Sequence, residues 1–247
     1  MSSIPKVIHY CWFGGNPLSS SARKCIASWQ NYLPNYEIRE WNDSNYDVRK
    51  IPYISQAYDV KQYAFVSDYA RFDVLYQFGG IYFDTDVEII QSLDDILTNG
   101  PYMGCEIDGG EEKIMVNPGL GIAAQAGLPI FLDVLHHYGQ ALFLENDGSL
   151  DQTTVVTRVT EILEKHGLKN IAGKQHVGDI TIYPREFFNP LNANTGKLEI
   201  TSNTRSIHWY SKTWRTPCQR ARGRITRVFH RLFGENCFSW IKKIINH

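Results

Sequence analysis

The sequence predicts a single α/β domain built on a mixed central sheet, and three observations predict it. The N-terminal part alternates strand-like and helix-like segments, the pattern of parallel strands joined by helices. Residues 67–88, SDYARFDVLYQFGGIYFDTDVE, read as a helix stopped by two glycines, then a short apolar strand running into Asp84 and Asp86. Residues 87–125 break into short apolar runs separated by turns, as antiparallel strands do. The 247 residues suit one well-buried domain and are too few for two comfortable ones.

Taken in order, Ile4 to Phe13 (IPKVIHYCWF) is a β-branched and aromatic run, predicted as the first and central strand and closed by the turn Gly14-Gly15-Asn16-Pro17. Ser20 to Leu33 reads as a helix with Ser19 or Ser20 as N-cap; Ala22, Ile26, Trp29 and Leu33 share a face, and Pro34-Asn35 stops it. Tyr36 to Trp41 alternates as a second strand, and Asn42-Asp43-Ser44 turns the chain. Ligands of parallel sheets bind at the carboxyl ends of the strands. Trp12, Asn42 and Asp84 would all lie at that edge. Trp12 there is either a core residue or a stacking platform, and His9 reads as a satisfied core residue.

Tyr58 to Phe78 is predicted as one long helix, because Tyr63, Ala64, Ser67, Ala70, Arg71, Val74, Leu75 and Phe78 recur at three- and four-residue spacing. Gly79 and Gly80 end it, since glycine takes a left-handed cap without a Cβ penalty. Ile81, Tyr82 and Phe83 then form a buried strand. Side chains alternate along a strand, so Asp84 and Asp86 are expected on one side. Two converging carboxylates are costly to bury unpaired. A divalent cation that favours oxygen ligands, Mg²⁺ or Mn²⁺, suits them. Asp68 and Arg71, at i and i+3, share a helix face: they form either an ordinary ion pair or a pair turned toward a ligand.

Beyond Asp86, the runs Val87–Ile90, Tyr102–Cys105, Lys113–Val116 and Leu120–Ala124 are separated by Asp108-Gly109-Gly110 and Pro118-Gly119 turns. Asn117 sits in Val-Asn-Pro-Gly, itself a plain turn sequence. Leu128 to Glu145 and Thr153 to His166 read as helices, the first carrying His136 and His137 on its surface. Asp151, Thr153 and Thr154 offer N-cap chemistry to the second. Ile180 to Tyr183 is a short strand and Pro184 to Thr195 a polar loop. Ser206 to Trp214 (SIHWYSKTW) follows the last predicted strand and carries His208.

Hydrophobic content of 43% and charged content of 21% are those of an ordinary soluble domain. The first residues lack a basic start with an apolar stretch, and no run approaches the ~20 apolar residues of a membrane span. Cys11, Cys25, Cys105, Cys218 and Cys237 are odd in number and show no C-x-x-C spacing, which predicts reduced thiols and a cytoplasmic location. The net charge of −1 conceals an asymmetry: from Arg215 onward there are eight Lys or Arg against Glu235 alone, leaving a balance of −8 before it. Ile225, Val228, Phe229, Leu232 and Phe233 form one helical face in that tail, ringed by arginines. Such a helix either lies on anionic lipid or packs on the domain with a solvated basic face. Nucleic-acid binding is not expected, because the rest of the chain is acidic.

Ala64, Ser67, Asp68, Arg71, Leu75, Gly79, Gly80, Ile81, Tyr82, Asp84 and Asp86 together resemble the sugar-transferase family with an Asp-x-Asp motif, the family-32 glycosyltransferases. Its relatives include bacterial surface-polysaccharide transferases, yeast mannosyltransferases and, more distantly, the glucosylating clostridial toxins. The resemblance implies a GT-A type nucleotide-diphospho-sugar transferase domain, Rossmann-like with a mixed sheet, over residues 1–214, with a basic amphipathic helical tail over 215–247. It makes Asp68, Arg71, Asp84 and Asp86 the catalytic group. Trp12, Tyr82, Asn117, Ser211 and Trp214 become donor-binding, and Asp84, Asp86 and His208 the ligands of Mn²⁺ or Mg²⁺. His208 is a metal ligand or a contact to the diphosphate.

The activity so implied moves a sugar from a nucleotide-diphosphate donor, expected to be a UDP-sugar, to a glycan hydroxyl with retention of configuration. The expected acceptor is a lipid-linked oligosaccharide of capsule or O-antigen assembly. That setting would give residues 219–247 an anionic membrane surface to rest on, at the inner face of the cytoplasmic membrane. Two rivals are a metal-dependent nucleotidyltransferase and a non-catalytic membrane-associated adaptor of a polysaccharide assembly complex. No glycine-rich, lysine-containing triphosphate loop stands near the N-terminus, against the first. Asp84, Asp86, Arg71 and His208 are all intact, against the second.

Overall fold

The structure, a computed structural model, describes residues 3–145 and 147–211. Trp214 and the basic tail lie outside the described residues. The run VIHYC forms β1 (Val7–Cys11), which pairs in parallel with β2 (Glu37–Trp41) on one side and with β3 (Gly80–Tyr82) on the other. Between β1 and β2 runs α1 (Ser20–Tyr32), where Ser19 accepts the Ala22 N–H as N-cap. Between β2 and β3 stand α2 (Pro52–Asp59) and α3 (Tyr63–Phe78). The single helix expected over 58–78 is therefore corrected. Lys61 adopts a left-handed backbone with φ 60°, and the chain restarts at Tyr63.

The remaining elements are β4 (Val87–Ile89), α4 (Asp94–Thr98), β5 (Tyr102–Ile107), β6 (Met115–Asn117), β7 (Ile122–Ala124), α5 (Pro129–Gly139), α6 (Val155–Lys165), β8 (Gln175–Val177), β9 (Ile180–Tyr183) and β10 (Ser206–His208). The main sheet runs β2-β1-β3-β7-β5-β9-β8, with β6 against β5. The parallel strands β2, β1 and β3 meet the remainder of the sheet, antiparallel except where β5 pairs with β9, at the pairing of β3 with β7. The Asp-x-Asp turn leaves β3 at that junction, in the mixed-sheet arrangement that the sequence predicts.

Alternation along the strands separates two cores. Ile8, Tyr10 and Ile81 face Trp29 and Leu33 of the α1 side, while Cys11 and Tyr82 face α2, α3, α5 and α6. His9, fully buried on the α3 side, ties the layers: its Nε2 lies 2.9 Å from the Gly79 carbonyl, and its Nδ1 receives the Trp41 indole N–H at 3.1 Å. Gly80 has to be glycine here. Its φ is 106°, and a Cβ would stand 2.6 Å from the Val7 carbonyl oxygen.

A second, two-stranded sheet pairs β4 antiparallel with β10, bringing His208 opposite Val87. The helix α1 holds it in place. The Trp29 indole donates to the Val87 carbonyl at 2.7 Å, and Ser28 Oγ accepts the Ile89 N–H at 2.9 Å. One further expectation is corrected: the helix expected over 128–145 ends at Gly139. Of the N-cap candidates Asp151, Thr153 and Thr154, it is Thr154 that caps α6. Asp151 also pairs with Arg158, whose Nη1 contacts His137 at 2.8 Å, so His137, expected on the surface, belongs to a part-buried network. Among the described residues no helix is long and apolar enough to cross a membrane, and Cys11, Cys25 and Cys105 are buried free thiols.

Candidate metal and diphosphate site

The strand β3 ends at Tyr82, so the alternation expected of Asp84 and Asp86 does not apply. They converge through a turn, in which the Val87 N–H donates to the Asp84 carbonyl at 3.0 Å and the Asp84 N–H donates to the Gly119 carbonyl at 3.3 Å. The turn then passes directly into β4, and β10 delivers the third group. Asp84, Asp86 and His208 each present one ligand atom within 4.8 Å of the others. His208 Nε2 lies 3.0 Å from Asp86 Oδ1. The other Asp86 oxygen accepts the Ser211 N–H at 2.7 Å and the Ser211 hydroxyl at 2.9 Å.

These contacts set the charges. Burial pushes the Asp86 carboxyl up, but His208 and the two Ser211 donors outweigh it and hold the group well below the usual carboxylate range. Burial likewise works against charge on His208, and Asp86 overcomes it, raising the imidazole above its ordinary value. The site is thus an ionised Asp86 against an imidazole that readily holds a proton. A cation bound there competes with that proton.

Behind the pair lies Arg71, 3% exposed. Its Nη2 stands 2.8 Å from Asp68 Oδ1 and 3.3 Å from Asp84 Oδ1, and its guanidinium caps the Tyr82 ring at 5.0 Å. Nη1 is buried without a hydrogen-bond partner among the described residues. Tyr82, 1% exposed, donates its hydroxyl to Asp84 Oδ1 at 3.1 Å and so lies beneath the carboxylate. Burial raises the Asp68 carboxyl to about 6 against the pull of Arg71.

Asn117 is engaged at both ends of its amide. Its Oδ1 accepts the Gly119 N–H at 2.7 Å, and its Nδ2 donates to Glu106 at 2.8 Å. A Cβ on Gly119 would sit 2.2 Å from Asp84 Oδ2, so the carboxylate lies directly over that glycine. Trp12 is half-buried at the strand edge, its indole N–H on the Asn16 carbonyl at 2.5 Å. Beside it, Asp43 accepts the Gly14 and Gly15 N–H groups at 2.9 and 3.1 Å.

Glu106 and Asp43 were not singled out from sequence. Asp43 reads there only as a turn residue, and Glu106 reaches the site through an irregularity of β5 that no local pattern marks. Asp84, Asp86, His208, Arg71, Asp68, Tyr82 and Ser211 are brought together; Trp12 stands apart at the strand edge.

The donor set of two carboxylates and one imidazole fits a divalent ion of the Mg²⁺ to Mn²⁺ kind, with the nitrogen favouring the softer Mn²⁺. Arg71 and a cation on Asp84 and Asp86 would together offer positive charge to an anionic group such as a diphosphate.

Residues 19–102 match the family model described as the glycosyltransferase sugar-binding region containing the DXD motif, which bears out the resemblance read from residues 64–86. Inositol phosphoceramide mannosyltransferase 3 of Schizosaccharomyces pombe is 29% identical over 103 residues, covering 39% of this chain and 28% of its own length. The chain thus matches little more than a quarter of that relative. Among solved structures, the PaToxG glycosyltransferase superposes with a TM-score of 0.49 at 18% identity, covering 66% of this chain and 69% of its own. The galactosyltransferase LgtC, solved with donor and acceptor sugar analogues, superposes at 0.47 with 12% identity, covering 90% and 95%.

Proposed function

We propose that this protein is a metal-dependent glycosyltransferase that moves a sugar from a nucleotide-diphosphate donor to an acceptor hydroxyl. One observation carries the reading: Asp84 and Asp86, inside a stretch matching the glycosyltransferase sugar-binding region, converge with His208 from beyond it, and Arg71 of the same stretch is buried beside them. Asp84, Asp86 and His208 would hold Mn²⁺ or Mg²⁺, which when bound offsets the charge of a leaving diphosphate.

The chain's own groups do the rest. Arg71, always charged, carries an Nη1 with no partner among the described residues that can donate to a donor phosphate or sugar oxygen. Asp68 fixes the guanidinium and can accept from a sugar hydroxyl. His208 and Ser211 hold Asp86 ionised, so that its carboxylate is ready for a cation. In the transfer, the acceptor oxygen bonds to the anomeric carbon as the bond from that carbon to the diphosphate breaks. The hydroxyl proton passes to the departing phosphate oxygen. Attack on the same face as the leaving group gives retention and uses no carboxylate nucleophile. That fits a site in which Asp68 is already taken by Arg71 and Asp86 by His208 and Ser211. A UDP-sugar donor, a lipid-linked glycan acceptor and attachment of residues 219–247 to an anionic membrane complete this reading.

The test is nucleotide release from a panel of UDP- and GDP-sugars with and without Mn²⁺. Slow release from one donor, dependent on Mn²⁺, is the expected result and names the sugar. Silence across the panel, with no nucleotide binding by calorimetry, overturns it. Deleting residues 219–247 without changing partition onto anionic vesicles would remove the lipid part alone.

A further inference from the structure

The strand β5 carries an irregularity next to the site. Cys105 pairs with Val116 and Ile107 with Met115, so two steps on β5 answer one step on β6, and Glu106 is the extra residue. A bulge of this kind re-aims a side chain out of the strand's alternation. The Asn189 amide donates to the Glu106 carbonyl at 3.2 Å and fixes the bulge from outside. Re-aimed in this way, the Glu106 carboxylate receives the Asn117 Nδ2 at 2.8 Å.

That contact decides which way the Asn117 amide faces. An ionised carboxylate can only accept, so the amide nitrogen must point to it and the amide oxygen must point away. The oxygen then caps the tight turn Pro118–Leu120 at the Gly119 N–H. Gly119 in turn accepts the Asp84 N–H on its carbonyl and leaves room, by lacking a Cβ, for the Asp84 carboxylate above it. We propose that Glu106 is a positioning residue: through Asn117 and Gly119 it holds Asp84 in place for the cation.

This inference rests on the proposed metal site, and its test separates the two. Mn²⁺ affinity is measured directly, by electron paramagnetic resonance of free Mn²⁺, with no sugar donor present, alongside thermal melting. The wild-type protein is expected to bind Mn²⁺. Glu106→Ala is expected to weaken binding about tenfold, the scale on which groups behind metal ligands act. Glu106→Gln, whose amide oxygen can still accept from Asn117, should restore affinity to within about twofold of wild type. Asn117→Ala should match Glu106→Ala, and the double variant should lose no more than either single one, because the two act in series.

Should Glu106→Ala not fold, Asn117→Asp serves instead. It keeps an oxygen for Gly119 but sets a carboxylate against Glu106, and an equal loss of affinity supports the proposal. Wild-type binding with unchanged affinity in the folded variants overturns the positioning role and leaves the metal site standing. Absence of Mn²⁺ binding by the wild type overturns both.

Discussion

Arg71 Nη2 stands 3.3 Å from Asp84 Oδ1 while holding Asp68 at 2.8 Å, so one guanidinium joins the helix α3 to the turn that follows β3. Nη2 serves both carboxylates while Nε of the same rigid plane donates to the Ser67 carbonyl at 3.2 Å, a fixed spread of donors that the single nitrogen of an ammonium does not reproduce. Arg71→Lys is therefore expected to lower kcat/KM for transfer about 10²-fold, roughly 3 kcal/mol of transition-state stabilisation, while Mn²⁺ affinity changes by only a few-fold. Steady-state kinetics beside Mn²⁺ titration checks this.

Asp86→Asn keeps an oxygen for the Ser211 donors but loses the charge that His208 and a cation require. Transfer should fall by ~10³-fold or more, with the circular dichroism spectrum unchanged. Wild-type activity in a folded Asp86→Asn protein contradicts the metal assignment.

Gly119→Ala tests the close approach of Asp84. The added Cβ would stand 2.2 Å from Asp84 Oδ2, and the carboxylate is freer to yield than the backbone turn. The expected result is Mn²⁺ affinity weakened by about 10–100-fold. The melting temperature should move by no more than a few degrees, the scale of about 1 kcal/mol or less.

Asp68 makes stability depend on pH in a defined direction. Its carboxyl titrates near 6 in the folded protein against 3.8 as the ordinary value, because burial disfavours the charge. Between these values the folded state binds the extra proton, so this group costs stability as pH rises from about 4 through 6. Asp68→Asn should flatten that part of the melting-temperature profile. Because Asp68 fixes Arg71, activity is expected to fall as Asp68 is protonated below about pH 6, and Asp68→Asn to show low activity without that step. An unaltered profile in the variant would assign the titration elsewhere.

Much of the fold is written locally. The Gly79-Gly80 stop, the Ser19 cap and the parallel strands β1 and β2 follow from residues that act on their neighbours in sequence. Where the reading missed, the deciding contact is distant. Lys61 breaks the expected long helix with a left-handed residue, although nothing in its periodicity forbids continuation. Asp84 and Asp86 were expected to converge by strand alternation, and they converge through a turn braced on Gly119, 35 positions from Asp84. Glu106 was not marked at all, because a bulge is an agreement between two strands and leaves no trace in one. His208 was legible as a candidate, but its partner Asp86 is fixed only by the pairing of β10 with β4.

That pairing also dictates an order of assembly. β4 begins one residue after Asp86, and the strand that closes on it begins at Ser206. During synthesis, both aspartates and the whole main sheet through β9 exist before the imidazole has been made. Contacts so far apart in sequence form late and slowly. Among the described elements β10 is the last to be synthesised, and a chain interrupted before residue 206 would carry its carboxylates with no third ligand to join them.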